Sequence, residues 1–200
     1  MKSVAMTFGR MNPFTKGHLQ VVKTLHEQNT DKKYVYLSHT QDKPKKKNPL
    51  ACKNPLPYET KVMYAKYFLA ESPYNDVEIK VSEEKQILGC IIELYKEGFR
   101  EITVVVGADR VEDFENLVNK YNNWVNPNTN EIDYNFEKIN VVSAGDRDPD
   151  ADGIEAMSAS KVREAAYLGN FEEFKEGIPT ENEDVIKDLY NDVRLYIGVI

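Results

Sequence analysis

The run Ile102-Thr103-Val104-Val105-Val106 constrains the fold of this chain more than any other stretch. Consecutive β-branched residues give a strand with no polar face, so both of its sides need cover. Such a strand belongs in a parallel sheet flanked by helices, and the rest of the chain alternates accordingly. Residues 2–8 read as a strand ending at Gly9, and residues 17–29 as a helix whose stripe is Leu19, Val22 and Leu25. Lys33 to His39 reads as a second strand, followed by a polar, proline-punctuated loop from Thr40 to Pro57. A helix over Tyr58 to Glu71, a short strand at Val77–Val81 and a helix over Glu83 to Glu97 stopped by Gly98 come next. Beyond the central run, Gly107-Ala108-Asp109-Arg110 leads into a helix carrying Val111, Phe114, Leu117, Val118 and Tyr121. Residues 122–136, rich in Asn, read as an excursion or short hairpin. Ile139 to Ser143 is the fifth strand, and a helix opens near Ser158, with one or two more completing the chain.

Five strands separated by helices predict a doubly wound, five-stranded parallel sheet in an α/β fold, with helices on both faces. The expected division is an α/β domain over residues 1–168 and a helical extension over 169–200 packed on the same domain. Ligands of such sheets sit beyond the carboxyl ends of the strands, where strand order reverses. Gly9, His39, Gly107 and Ser143–Gly145 all fall at predicted strand ends, which points to one site.

Composition narrows the class of function. A 41% hydrophobic and 30% charged chain of 200 residues is that of a globular protein, and no stretch approaches the ~20 apolar residues of a membrane span. The first residues are too short an apolar core for a signal peptide, so a cytoplasmic location is expected, with no membrane partner. Cys52 and Cys90 lack metal-like spacing and read as free thiols, Cys90 in a core helix and Cys52 in a polar loop where it could react. A formal charge of −7 argues against a nucleic-acid partner. Lys43, Lys45, Lys46 and Lys47 form a local basic cluster that can attract phosphorylated small molecules or simply be solvated.

Two segments carry chemistry. In Gly9-Arg10-Met11-Asn12-Pro13-Phe14-Thr15-Lys16-Gly17-His18, a glycine turn ends a strand and a histidine opens a helix. Gly9 permits close backbone approach, and Gly17 leaves room for a phosphate at the positive helix start. His18 adds a donor, and Thr15 lies one turn before it on the same side. The second segment is Met157-Ser158-Ala159-Ser160-Lys161-Val162-Arg163, with hydroxyls and an arginine at a helix start. An arginine fork matches phosphate oxygens, although a serine cap with a surface arginine has the same sequence. Gly107, Asp109 and Arg110 form a third candidate, with Asp109 alternatively a helix cap. The acidic stretch Gly145-Asp146-Arg147-Asp148-Pro149-Asp150 lacks the spacing of an EF-hand loop.

The first segment resembles the signature of the nucleotidylyltransferase superfamily, known for its histidine-glycine-histidine motif, with Thr15 in place of the first histidine. Threonine there is similar to phosphopantetheine adenylyltransferases, whereas the Gly9-Arg10-Met11-Asn12-Pro13 opening is closer to nicotinamide mononucleotide adenylyltransferases. Met157 to Arg163 resembles the superfamily's Ile-Ser-x-Ser/Thr-x-x-Arg motif. Ser143 to Asp150 is similar to small stand-alone members of tailed bacteriophages, for which the location would be the host cytoplasm.

The resemblance implies a Rossmann-like fold over roughly residues 1–168 and transfer of a nucleoside monophosphate, foremost AMP from ATP, to a phosphorylated acceptor such as nicotinamide mononucleotide. Phosphopantetheine adenylylation and cytidylyl transfer are the alternatives within the class. The implied catalytic residues are His18, Thr15, Lys16 and Arg163. The implied nucleotide-binding residues are Gly9, Arg10, Met11, Asn12, Gly17, Gly107, Asp109, Arg110, Ser158 and Ser160. Mg²⁺ would be held mainly by nucleotide phosphates, with no residue assigned as a metal ligand, and a homo-oligomer is compatible with the sequence. A different class, a nucleotide-binding sensor or assembly protein without turnover, is favoured only by the missing first histidine.

Overall fold

The computed structural model describes residues 1–44, 47–145 and 158–200. Lys45 and Lys46, the acidic loop from Asp146 and Met157 lie outside the described residues. In chain order the elements are β1 (Ser3–Gly9), α1 (Lys16–His26), β2 (Lys32–Leu37), α2 (Tyr58–Glu71), β3 (Glu78–Lys80), α3 (Ile87–Lys96) and β4 (Glu101–Val106). Then follow α4 (Val111–Tyr121), β5 (Val125–Asn126), β6 (Glu131–Ile132), β7 (Lys138–Ser143), α5 (Ala159–Leu168), α6 (Phe171–Glu176) and α7 (Glu183–Ile197).

Five strands form one parallel sheet in the order β3-β2-β1-β4-β7. Met6 stands opposite Val104, Val35 opposite Ile79 and Val104 opposite Val141. The chain runs outward from β1 to β3, then returns to place β4 beside β1, so strand order reverses there. This is the expected doubly wound α/β arrangement. The Asn-rich excursion is the β5–β6 hairpin, with Val125 opposite Ile132.

The described residues gather into two compact units, the first from residues 1–8, 21–36 and 76–145. Its core joins Val4 and Met6 of β1 with Ile102, Val104 and Val106 of β4 and with Ile87, Cys90, Ile91 and Leu94 of α3. Those α3 positions follow the i, i+3, i+4, i+7 rule for one helix face. The alternate strand residues Ala5, Thr7, Thr103 and Val105 are buried too, and the Thr7 hydroxyl donates to the Val105 carbonyl at 2.8 Å. Both faces of β1 and β4 are therefore covered, as the unbroken β-branched run requires. Each buried Ile or Leu contributes roughly 1.5–3 kcal/mol. Exposed pairs such as Lys32–Glu78 are screened by solvent and add little, so the core dominates.

Helix α3 begins at Ile87 rather than near Glu83. The Ser82 hydroxyl accepts from the Glu84 amide at 3.1 Å, giving that N–H a partner outside a helix. Burial pushes the Cys90 thiol up to about 12, consistent with its expected core position.

The second unit comprises residues 9–20, 37–75 and 158–200. Ile186, Leu189, Val193 and Ile197 form the buried stripe of α7. Tyr64 of α2 donates to Asp192 of α7 at 2.8 Å, and Arg194 of α7 donates to the Ala166 carbonyl of α5 at 2.6 Å. Both α5 and α7 end at glycines in the left-handed region, Gly169 (φ 76°) and Gly198 (φ 82°), where other residues would be strained. Among the described residues, no helix is long and apolar enough to cross a membrane.

Candidate active site

Chain reversal after β1 is built by Gly9 to Thr15, all in the second unit. Met11, buried at φ 40°, holds a conformation that costs a non-glycine residue roughly 1–2 kcal/mol. Asn12 next to it clasps the loop ahead of α2. Its side-chain amide donates to the Leu56 carbonyl at 3.1 Å, and its side-chain oxygen accepts from the Leu56 amide at 3.0 Å. Asn12→Ala leaves both buried Leu56 groups without a partner, at about 1–3 kcal/mol each. Urea unfolding should therefore show a loss of at least about 2 kcal/mol.

Thr15 caps α1 in an arrangement that usually employs a glutamate. The Thr15 amide donates to His18 Nδ1 at 3.0 Å, the His18 amide donates back to the Thr15 carbonyl at 2.9 Å, and Thr15 Oγ1 lies 3.0 Å from Nδ1. Because Nδ1 accepts an N–H, the neutral ring carries its proton on Nε2. His18 is 7% exposed, with Phe14 tilted against it at 5.5 Å between ring centres. The Lys16 amide is taken by the Gly177 carbonyl at 2.9 Å. Among the described residues, no backbone carbonyl bonds the amide of Gly17 at this helix start.

The second motif closes on the first. Ser158 caps α5, accepting from the Lys161 amide at 3.3 Å. Arg163, 8% exposed, donates through Nη2 to Ser160 Oγ at 3.1 Å and through Nη1 to the Asn12 carbonyl at 2.7 Å. These partners are neutral, and Arg163 has no ion pair among the described residues. Burial first, and the like charge of Arg10 second, hold its pKa below the usual arginine value. A desolvated guanidinium with a second cation nearby favours a polyanion.

Lys61 was not foreseen. It is 2% exposed on α2 and donates to the carbonyls of Ser38 at 2.5 Å and Arg10 at 3.3 Å, with no carboxylate partner among the described residues. It thereby joins the chain leaving β1 to the chain leaving β2. Its burial shows only in the folded helix, where Lys61 shares the buried face with Tyr64, Ala65, Phe68 and Leu69. Burial pushes the ammonium down to about 8 from 10.5. Between those values the unfolded chain holds a proton that the folded one lacks, so the burial cost is full below pH 8 and fades as pH rises. Wild type should gain stability relative to Lys61→Met between pH 8 and pH 10 in urea unfolding. A constant difference across that range would show the amine to be unperturbed.

Gly107, Asp109 and Arg110 belong to the first unit. They form a 3-10 turn in which neither flanking cap position makes a side-chain cap bond. Asp109 and Arg110 are exposed, and Arg110 lies 4.9 Å over the Phe114 ring. A Cβ at Gly107 would stand 2.8 Å from Asp109 Oδ1, so the exposed Asp109 side chain would have to turn aside. Cys52, expected to be able to react from a polar loop, is fully buried, because the neighbouring segment packs back through Asp42, whose carboxylate accepts from the Lys53 and Asn54 amides.

The second unit thus unites Asn12, Thr15, His18, Ser160 and Arg163, with Arg10 and Lys61 at the same turn. Its cations suit phosphates and repel a bare metal ion. Among the described residues, no group of three or more His, Cys, Asp or Glu side chains is arranged to hold a metal.

Comparison with known proteins agrees with this chemistry. No curated protein matches the sequence. The chain is similar in fold to a Plasmodium falciparum nicotinic acid mononucleotide adenylyltransferase complexed with NaAD, at a TM-score of 0.61 and 15% identity, covering 98% of each chain. A putative nicotinate-nucleotide adenylyltransferase from Vibrio parahaemolyticus superposes at a TM-score of 0.56 and 14% identity, over 94% of this chain and 99% of that one. A bifunctional NMN adenylyltransferase/ADP ribose pyrophosphatase from Francisella tularensis, complexed with AMP and Mn ion, gives 0.56 and 16%, over 96% of this chain and 52% of that one. The model of the cytidylyltransferase-like family matches residues 6–165, most of the chain and both motifs, so the protein belongs to that family of nucleotidyltransferases.

Proposed function

We propose that the protein transfers AMP from ATP to a phosphorylated small molecule such as nicotinamide mononucleotide, releasing pyrophosphate. The observation that carries this reading is the 2.7 Å bond from Arg163 to the Asn12 carbonyl, which brings the two phosphate-type motifs to one place. Solved neighbours that are nicotinate or NMN adenylyltransferases favour ATP and a pyridine nucleotide.

In this reading an acceptor phosphate oxygen attacks the α-phosphorus, and the bond to the bridging oxygen breaks in line. The leaving pyrophosphate takes that electron pair. His18 donates from Nε2 to an α-phosphate oxygen as negative charge grows, while Thr15 holds the ring in that tautomer. Ser158, Ser160, Arg163 and Lys16 hold the departing pyrophosphate, and the Gly17 amide adds a donor at the helix start. Gly9, Arg10, Met11 and Asn12 shape the nucleotide-facing turn, with Gly107, Asp109 and Arg110 as further nucleotide contacts. Mg²⁺ would enter on the nucleotide phosphates and neutralise their charge. Residues 169–200 serve the same functional body, with Gly177 bound to the start of α1. The location is cytoplasmic, where ATP is supplied.

Pyrophosphate release with ATP and with CTP, against nicotinamide mononucleotide, nicotinic acid mononucleotide and phosphopantetheine, tests the proposal. ATP with a pyridine mononucleotide should be the fastest pair. Preference for CTP or phosphopantetheine would select the other acceptor class, and ATP binding without release in any pair would favour a sensor.

A further inference from the structure

The two edges of the parallel sheet are built differently. At one edge β3 is three residues long, Glu78-Ile79-Lys80, and its charged ends pair with Lys32 and Glu97. Short length and charge are the usual protections of an open edge against further strand pairing. At the other edge β7 is six residues long, Lys138 to Ser143, and among the described residues it borders β4 alone. Ile139, Asn140, Val141 and Val142 are all half-buried, whereas Ile102 to Val105 opposite them on β4 are buried. From Ile139 to Gly145 the chain carries no charge and no proline.

The register settles which backbone groups of β7 face outward. Val104 stands opposite Val141, and the Ala144 amide donates to the Val106 carbonyl at 2.8 Å, so Asn140 and Val142 also turn their amides towards β4. By alternation, Ile139, Val141 and Ser143 turn their N–H and C=O groups away from the sheet. Among the described residues no further strand takes them. Open backbone groups flanked by half-buried apolar side chains are a template for one more strand.

We propose that a second copy of this chain pairs its own β7 antiparallel to this one, about a two-fold axis through Val141, joining two five-stranded sheets into one. The strand is complementary to itself in that arrangement. Val141 exchanges both bonds with Val141 of the second copy, and Ile139 exchanges both with Ser143, giving about six bonds in all. Lys138 then stands opposite the uncharged Ala144 and Val142 opposite Asn140, so no like charges are opposed. Two-fold pairing uses up both open edges, so assembly stops at the dimer. The dimer is independent of the nucleotidyl-transfer reading above.

Sedimentation equilibrium and residue-resolved amide hydrogen exchange on the full chain test this. At micromolar concentration the wild type should sediment at twice its 23.0 kDa mass. Val141→Pro removes one outward N–H and leaves the ladder to β4 intact, a change that edge strands accept. The variant should sediment as a monomer while keeping the amide protection of β1 and β4, which shows that it is folded. In monomer, obtained by dilution or as Val141→Pro, the Ile139 and Ser143 amides should exchange at least about tenfold faster than in the dimer. The Asn140 and Val142 amides, held by β4, should change less than about twofold. Should the variant lose the protection of β1 and β4, the wild-type exchange pattern at high and low concentration decides. A wild type that is monomeric throughout, or that grows beyond a dimer, overturns the proposal. So does a dimer in which Ile139 and Ser143 exchange as fast as in monomer, or a folded Val141→Pro that dimerises as tightly as wild type.

Discussion

His18→Ala lowers pyrophosphate-releasing turnover by about 100-fold or more, the scale for losing one donor aimed at developing charge. The reason lies in the cap of α1. Nδ1 is occupied by the Thr15 amide at 3.0 Å, so the proton sits on Nε2, the nitrogen proposed to meet the α-phosphate. Alanine removes that donor and leaves the Thr15 amide without its acceptor, so the assay is run well below the variant's melting temperature. Thr15→Val separates the two contributions. It deletes the hydroxyl 3.0 Å from Nδ1 but keeps the amide that sets the tautomer, and its loss should stay within about tenfold. Steady-state release of pyrophosphate over a range of ATP concentrations measures both. Near-normal turnover in His18→Ala would remove the imidazole from the mechanism.

Arg163→Ala should reduce kcat/KM for ATP by about 100-fold, chiefly through a raised KM. Charge-assisted bonds are worth about 1.5–3 kcal/mol each, and the fork is expected to engage more than one phosphate oxygen. Removing a buried cation repelled by Arg10 relieves some desolvation, while the Asn12 carbonyl loses its donor. Thermal unfolding therefore distinguishes a binding defect from a folding defect. Arg163→Lys keeps the charge but cannot hold both Asn12 and Ser160 from one planar group, so its affinity for ATP should fall between the two. An unchanged KM for ATP in a folded Arg163→Ala protein would show that the guanidinium only braces the Asn12 turn.

Both motifs were legible in the chain because their chemistry is local. A glycine turn, a helix cap and a fork of cations are spelled out within ten residues, and so are the strand ends that present them. Lys61 was not legible for the opposite reason. It looks like an ordinary residue of a helix, and its importance comes from its burial without a carboxylate partner among the described residues. Cys52 misled in the same way, since nothing adjacent in sequence reports that the loop folds back over its thiol. The late start of α3 was a contest between neighbours, the Ser82 hydroxyl offering the Glu84 amide a bond outside the helix.

Periodicity alone determined the alternation of strands and helices and the doubly buried β4, because one-residue steps already settle which faces must avoid water. The same information placed His18 and Arg163 at helix starts. Only the tertiary structure decided that Arg163 reaches a carbonyl 151 residues away, that the Thr15 amide chooses the tautomer of His18, and that Lys61 links two strand ends. Those outcomes depend on which distant groups share a buried volume. Desolvation and pairing are properties of that volume, and no short stretch of chain contains it.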